Sequence, residues 1–116
     1  MSHKYSTEKL PNGFEYPNDF NAEVFQGLYP WIEINCESEL GEMLLNLGKE
    51  IGNNLIPFAS LELGDGDAAC FDGNDKSGNP TVVMLVLDGS NRSYGFDNFN
   101  HWLQQAKLDA NKWGDQ

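Results

Sequence analysis

Carboxylates crowd one short stretch of this chain. Glu62, Asp65, Asp67, Asp72 and Asp75 lie within fourteen residues, and no basic residue intervenes before Lys76. Three kinds of chemistry suit such a group: binding calcium, acid/base catalysis, and attraction of a basic partner. Calcium fails on spacing. With Gly78 taken as the glycine of a calcium loop, the first ligand position is Gly73 and the bidentate position is Met84, neither of which supplies a carboxylate. Asp65 and Asp67 have the composition of a glycosidase pair. Two residues apart in a Gly64-Asp65-Gly66-Asp67 turn, however, Asp side chains serve to bond nearby backbone amides. No pocket that would shift their pKa is visible in the sequence. His3 and His101 are the only histidines, and neither has a nucleophile signature such as Gly-x-Ser-x-Gly in the chain to work with. No catalytic residue, metal or cofactor is therefore expected, and partner attraction is left.

Charge distribution supports that choice. Fourteen acids stand against Lys4, Lys9 and Lys49 through residue 75, whereas four acids balance four bases from Lys76 onward, so the net charge of −11 sits in the first two thirds. Such a surface disfavours nucleic acid, whose phosphates recruit Lys and Arg. It suits a basic protein, and equally it suits simple solubility.

The carboxylates need a frame, and the apolar pattern supplies one. Leu55, Ile56, Phe58, Leu61 and Leu63, then the Asp-Gly turn, then Ala68-Ala69-Cys70-Phe71 outline a β-hairpin. Thr81 to Leu87 is apolar nearly throughout, as in a strand covered on both faces, with Val83 and Leu85 expected among its buried residues. Glu37 to Ile51 reads as the clearest helix, with Leu40, Met43, Leu44, Leu47 and Ile51 as its apolar stripe and Asn53-Asn54 as its stop. Gly41 and Gly48 weaken it by about 1 kcal/mol each relative to Ala. A short helix over 18–26, a strand over 28–35, a last short strand over 93–96 and a helix capped by Asp97 and carrying Phe99, Trp102, Leu103 and Ala106 complete the expectation. In the early strand Trp31 and Glu33 alternate against Ile32 and Ile34. Trp31 is either core or an exposed anchor for a partner, and it joins Glu33 among the candidate contacts.

At 116 residues the chain has the length of one domain, with 1–13 expected to be loose and 107–116 expected as a frayed tail or appended helix. No stretch has the uninterrupted apolar length that spans a bilayer. Met1 to Leu10 lacks the apolar segment of a secretory leader, which leads us to expect the cytoplasm. Cys36 and Cys70 show no Cys-x-x-Cys spacing and are expected as free thiols.

The Ile56-Pro57-Phe58-Ala59 strand, the Gly-Asp-Gly-Asp turn, Phe71-Asp72 closing a small-residue strand, Gly78-Asn79-Pro80 leading into Val82-Val83, and the late helix with Phe96, Phe99 and Trp102 occur in an order that resembles the SUKH superfamily. The resemblance covers roughly Trp31 to Ala106. One departure is Asp88-Gly89, where many relatives close the strand with His. The resemblance implies an α+β domain in which a mostly antiparallel sheet of four to six strands carries packed helices. It also implies a non-catalytic, cytoplasmic binding protein, either an immunity protein that occludes a bacterial toxin or a regulatory scaffold. The acidity adds that a toxin partner would be basic, as a nuclease is. Glu62, Asp65, Asp67, Asp72 and Asp75, with Trp31 and Glu33, are the contacts to expect.

Overall fold

The computed structural model describes residues 4–18, 20–29, 31–50, 54–61, 68–85 and 95–114. Five strands form one antiparallel sheet in chain order: β1 (Trp31–Glu33), β2 (Leu55–Leu61), β3 (Ala68–Asp72), β4 (Val82–Leu85) and β5 (Gly95–Phe96). Helix α1 (Glu39–Glu50) joins β1 to β2, and α2 (Phe99–Gly114) follows β5. The architecture is the expected α+β domain. The expected hairpin pairs Leu55–Leu61 with Ala68–Asp72, and its turn, 62–67, lies outside the described residues. So do Ile51, Asn53, Val86, Leu87 and 88–94. Asn54 stands at φ 48°, a left-handed conformation that Asn tolerates better than most residues, immediately before β2.

Aromatic packing dominates the main core. Phe58 stacks on Phe71 at 4.3 Å between ring centroids and meets Trp102 edge-on at 4.8 Å. Phe20 and Phe99 close around the same rings. Truncating Phe58 to Ala would cost about 3–5 kcal/mol, as for other large buried aromatics.

An irregularity in β2 decides which way β1 faces. Its register against β3 shifts between Pro57 and Ala59, where Pro57, which has no N–H to donate, finds a break in the ladder. Ile56 and Phe58 before the shift, and Ala59 and Leu61 after it, all reach the same core. Trp31 pairs with Leu61 and Glu33 with Ala59, so the shift turns Trp31 inward and Ile32 outward. Trp31 is 6% exposed and Ile32 is 39% exposed, so of the two readings left open for Trp31 the structure has the core one, and Trp31 is not an exposed anchor.

Four other expectations change. The helix over 18–26 is a single 3₁₀ turn, Ala22–Phe25, capped by Asn21. The segment expected to be loose is anchored by Tyr5, which is buried; the tail, for its part, is the appended helix of the two alternatives, as α2 runs through Gly114. In β4 Leu85 is buried as expected, but Val83 is only half-buried; both lie on the face opposite the main core, which Val82 and Met84 enter. The N-cap of α2 is Asn98, whose Oδ1 accepts from His101 N–H at 2.9 Å, one residue later than expected.

The largest departure is the rotation of α1. Its buried residues are Gly41, Leu44, Leu45 and Gly48, while Leu40 and Met43 are exposed by 49% and 56%. The glycines are the contact face. A Cβ at Gly48 would lie 2.8 Å from the Leu55 carbonyl oxygen, and one at Gly41 would collide with the Asn35 carbonyl. Two glycines seven residues apart fall on one side of a helix, and that side can approach backbone where Leu cannot.

Candidate functional site

The loop after β3 uses its carboxylates to hold itself. Asp72 Oδ1 accepts from Asn74 N–H at 2.9 Å, and its own N–H donates to Thr81. Asp75 accepts from Ser77 N–H at 3.0 Å and from Thr81 N–H at 3.1 Å, one bond to each carboxylate oxygen. Bonds from Ser77, side chain and then backbone, hold the Asp75 carboxyl below its usual range; they outweigh an opposing effect of burial, and the Thr81 bond adds a smaller contribution of the same sign as theirs. These two acids are loop formers first. Their charge still contributes to the local field. Of the other expected contacts, Glu62, Asp65 and Asp67 lie outside the described residues, and Glu33 is half-buried on the core side of β1.

Rotation of α1 presents a surface that helical periodicity alone assigns to the core. Ser38 caps the helix by accepting from Gly41 N–H at 3.0 Å, which places Glu39, Met43, Asn46 and Glu50 on the outward face. Leu40, Met43 and the half-buried Leu47 follow one another at helical spacing along one flank. Glu37, Glu39 and Glu50 are exposed around them, while Glu42 on the other flank pairs with Lys9 at 3.2 Å. The sequence signal for this rotation is the pair Gly41 and Gly48, which competes with the stripe of Leu40, Met43, Leu44 and Leu47 for the packed side.

A second feature sits where α2 crosses the sheet. Trp31, Met84, Phe96, Trp102, Gln105, Ala106 and Asp109 line an open cleft of about 370 Å³. Asp109 accepts from Trp31 Nε1 at 3.2 Å and from Gln105 Nε2 at 3.1 Å. The cross-strand row Glu33, Ala59, Ala69, Met84 explains the space, because two alanines stand between the bulkier residues. Asp109 and Gln105 were not singled out from sequence, since they fall in a segment read as helix end and tail.

The thiols and the described histidine have structural surroundings. Cys36 and Cys70 are free and buried; burial pushes the Cys36 thiol up to about 12 and that of Cys70 higher still, which makes both poor nucleophiles. His101 Nδ1 accepts from Asp97 N–H at 3.2 Å at the start of α2, the place a capping-box side chain takes. Among the described residues no helix is long and apolar enough to cross a membrane, and no three potential metal ligands gather.

No curated protein and no solved structure matches the chain. A family model does match, over residues 7–105, which takes in the 3₁₀ turns, all five strands, α1 and the first half of α2. The chain belongs to the SMI1 / KNR4 family (SUKH-1).

Proposed function

We propose that this protein is an immunity protein, which binds a basic bacterial toxin directly and covers the surface with which the toxin acts. Toxin immunity proteins occur within the SUKH family. The observation that carries the reading is the outer side of α1, where Leu40 and Met43 stand exposed beside Glu37, Glu39 and Glu50. An apolar strip rimmed by acids matches the anatomy of a protein interface, with burial of the strip giving affinity and the charge giving rate and choice of partner. The acids of the β2–β3 connection, Glu62, Asp65 and Asp67, together with Asp72 and Asp75, add to the same negative field. A nuclease is the finer form of the proposal, because a protein that holds nucleic-acid phosphate offers the Lys and Arg that these acids would engage. The protein acts in the cytoplasm in this reading, without cofactor, and contacts neither nucleic acid nor membrane.

The test is co-expression with the protein encoded by the neighbouring gene. Rescue of growth by the wild type, and its loss with Leu40→Ser/Met43→Ser at unchanged expression and melting temperature, is the expected result. Tight binding with full toxicity retained would instead make the protein a scaffold, and absence of any binding would remove the proposal.

A further inference from the structure

The cleft beneath α2 has a chemistry of its own. Its walls are the apolar and aromatic side chains of Trp31, Met84, Phe96 and Trp102, and its polar groups are Asp109 and Gln105. An ionised carboxylate has about four acceptor positions. Asp109 uses one on Oδ2 for Trp31 Nε1 and one on Oδ1 for Gln105 Nε2. Each oxygen therefore keeps acceptor capacity, and both are held in place by their existing donors. Asp109 makes no ion pair with any described Lys or Arg. Gln105, whose Nε2 turns to Asp109, retains its amide oxygen as a further acceptor. The site combines apolar walls, a fixed carboxylate and unspent acceptors.

We infer that this cleft receives a single arginine side chain from the partner protein, with the guanidinium lying against both oxygens of Asp109 and the aliphatic stem along Met84 and Phe96. The inference rests on the reading of a basic partner and names one point of its contact. Arginine fits better than lysine for a geometric reason. A guanidinium presents two parallel N–H groups to the two oxygens of a carboxylate, whereas an ammonium supplies a compact, strongly hydrated charge. Restraint of the Asp109 plane by Trp31 and Gln105 rewards the planar donor, since less orientation is lost on binding. The stem gains as well, because long cationic side chains bury their methylene groups against apolar surface. The volume, about 370 Å³, admits one side chain together with the backbone that carries it.

The test needs no toxin. The isotopically labelled full chain is titrated with N-acetyl-arginine amide, with the lysine analogue and with the uncharged citrulline analogue, while the indole N–H resonance of Trp31 is followed. A saturable shift with arginine is expected, several-fold weaker with lysine and absent with citrulline. Asp109→Asn keeps an oxygen for Trp31 and should weaken the arginine response about tenfold or more, as expected for loss of a charge-assisted bidentate contact. Should that variant fold poorly, Gln105→Lys places a competing ammonium beside Asp109 from an exposed position and should abolish the response with the core untouched. Equal response to citrulline, or an arginine response unaffected in both variants, overturns the inference. The two proposals fail separately: arginine binding without toxin neutralisation removes the immunity reading and leaves the cleft. Full neutralisation and wild-type toxin affinity in Gln105→Lys remove the cleft and leave immunity.

Discussion

The hydroxyl of Tyr5 donates to the carbonyl of Gly41 at 2.7 Å, a buried bond that ties the N-terminal segment to the glycine face of α1. Tyr16 completes the arrangement, its hydroxyl accepting from Tyr5 N–H at 2.9 Å. Burial raises the hydroxyl pKa of both tyrosines, so both hydroxyls stay protonated at any physiological pH and Tyr5 keeps the proton it donates. Tyr5→Phe keeps the ring in the core and removes the donor. It should lower unfolding free energy by about 1 kcal/mol, read from the midpoint of chemical denaturation with an unchanged slope.

Gly48 supports a prediction of opposite sign to the usual rule. At an exposed helix position, Gly→Ala stabilises by about 1 kcal/mol. At Gly48 the added methyl would stand 2.8 Å from the Leu55 carbonyl oxygen and 3.0 Å from the Leu55 Cβ, so α1 must move off β2. Gly48→Ala should therefore destabilise. Asn46→Ala, on the exposed side of the same helix, should leave stability unchanged or raise it slightly, and thermal melts of the two variants measure the contrast.

These two contacts mark where sequence reading succeeded and where it stopped. The β2–β3 hairpin was legible because the apolar runs and the Asp-Gly turn are local signals. The existence of α1 was legible from its period. Its rotation was not, because helical periodicity cannot tell an apolar stripe that faces the core from one that faces outward when two glycines offer a closer approach. Trp31 illustrates the same limit in a strand. Its alternation with Glu33 was read correctly, but which side is inside depends on the register shift at Pro57 and Ala59, set by the pairing of β2 with β3. Asp109 was invisible for a related reason: its bond to Trp31 spans 78 residues.

Asp75 links the loop to pH. Its carboxyl is held below its ordinary range, so its ionised form stabilises the folded loop. That contribution is complete above the pKa of the unfolded chain, roughly pH 4, and disappears as pH falls through the lower folded value. Asp75→Asn should accordingly be less stable than wild type at neutral pH. The difference between them should close only on strong acidification. Stability measured for both proteins from pH 7 down to the acid transition checks this, and a gap that stays constant with pH would show that the charge contributes nothing.

The acidic field and the apolar strip should separate in binding kinetics. Long-range attraction acts on encounter, before any contact forms, and salt screens it. Close packing of Leu40 and Met43 acts after docking, on the lifetime of the complex. A variant in which Glu37, Glu39, Glu62, Asp65 and Asp67 become Gln or Asn should then lose one or more orders of magnitude in association rate at low salt, and should lose most of its salt dependence. Asp72 and Asp75 are left out of it because their carboxylates hold the loop through Asn74, Ser77 and Thr81, and changing them would mix folding with binding. Leu40→Ser/Met43→Ser should associate at nearly the wild-type rate and dissociate faster, with a salt dependence like that of wild type. Surface plasmon resonance against the protein encoded next door, at low and at high salt, resolves the two effects. If the acid-depleted variant associates as fast as wild type at both salt concentrations, the acidity serves solubility. If the Leu40/Met43 variant keeps the wild-type lifetime, the outer side of α1 is not the docking face.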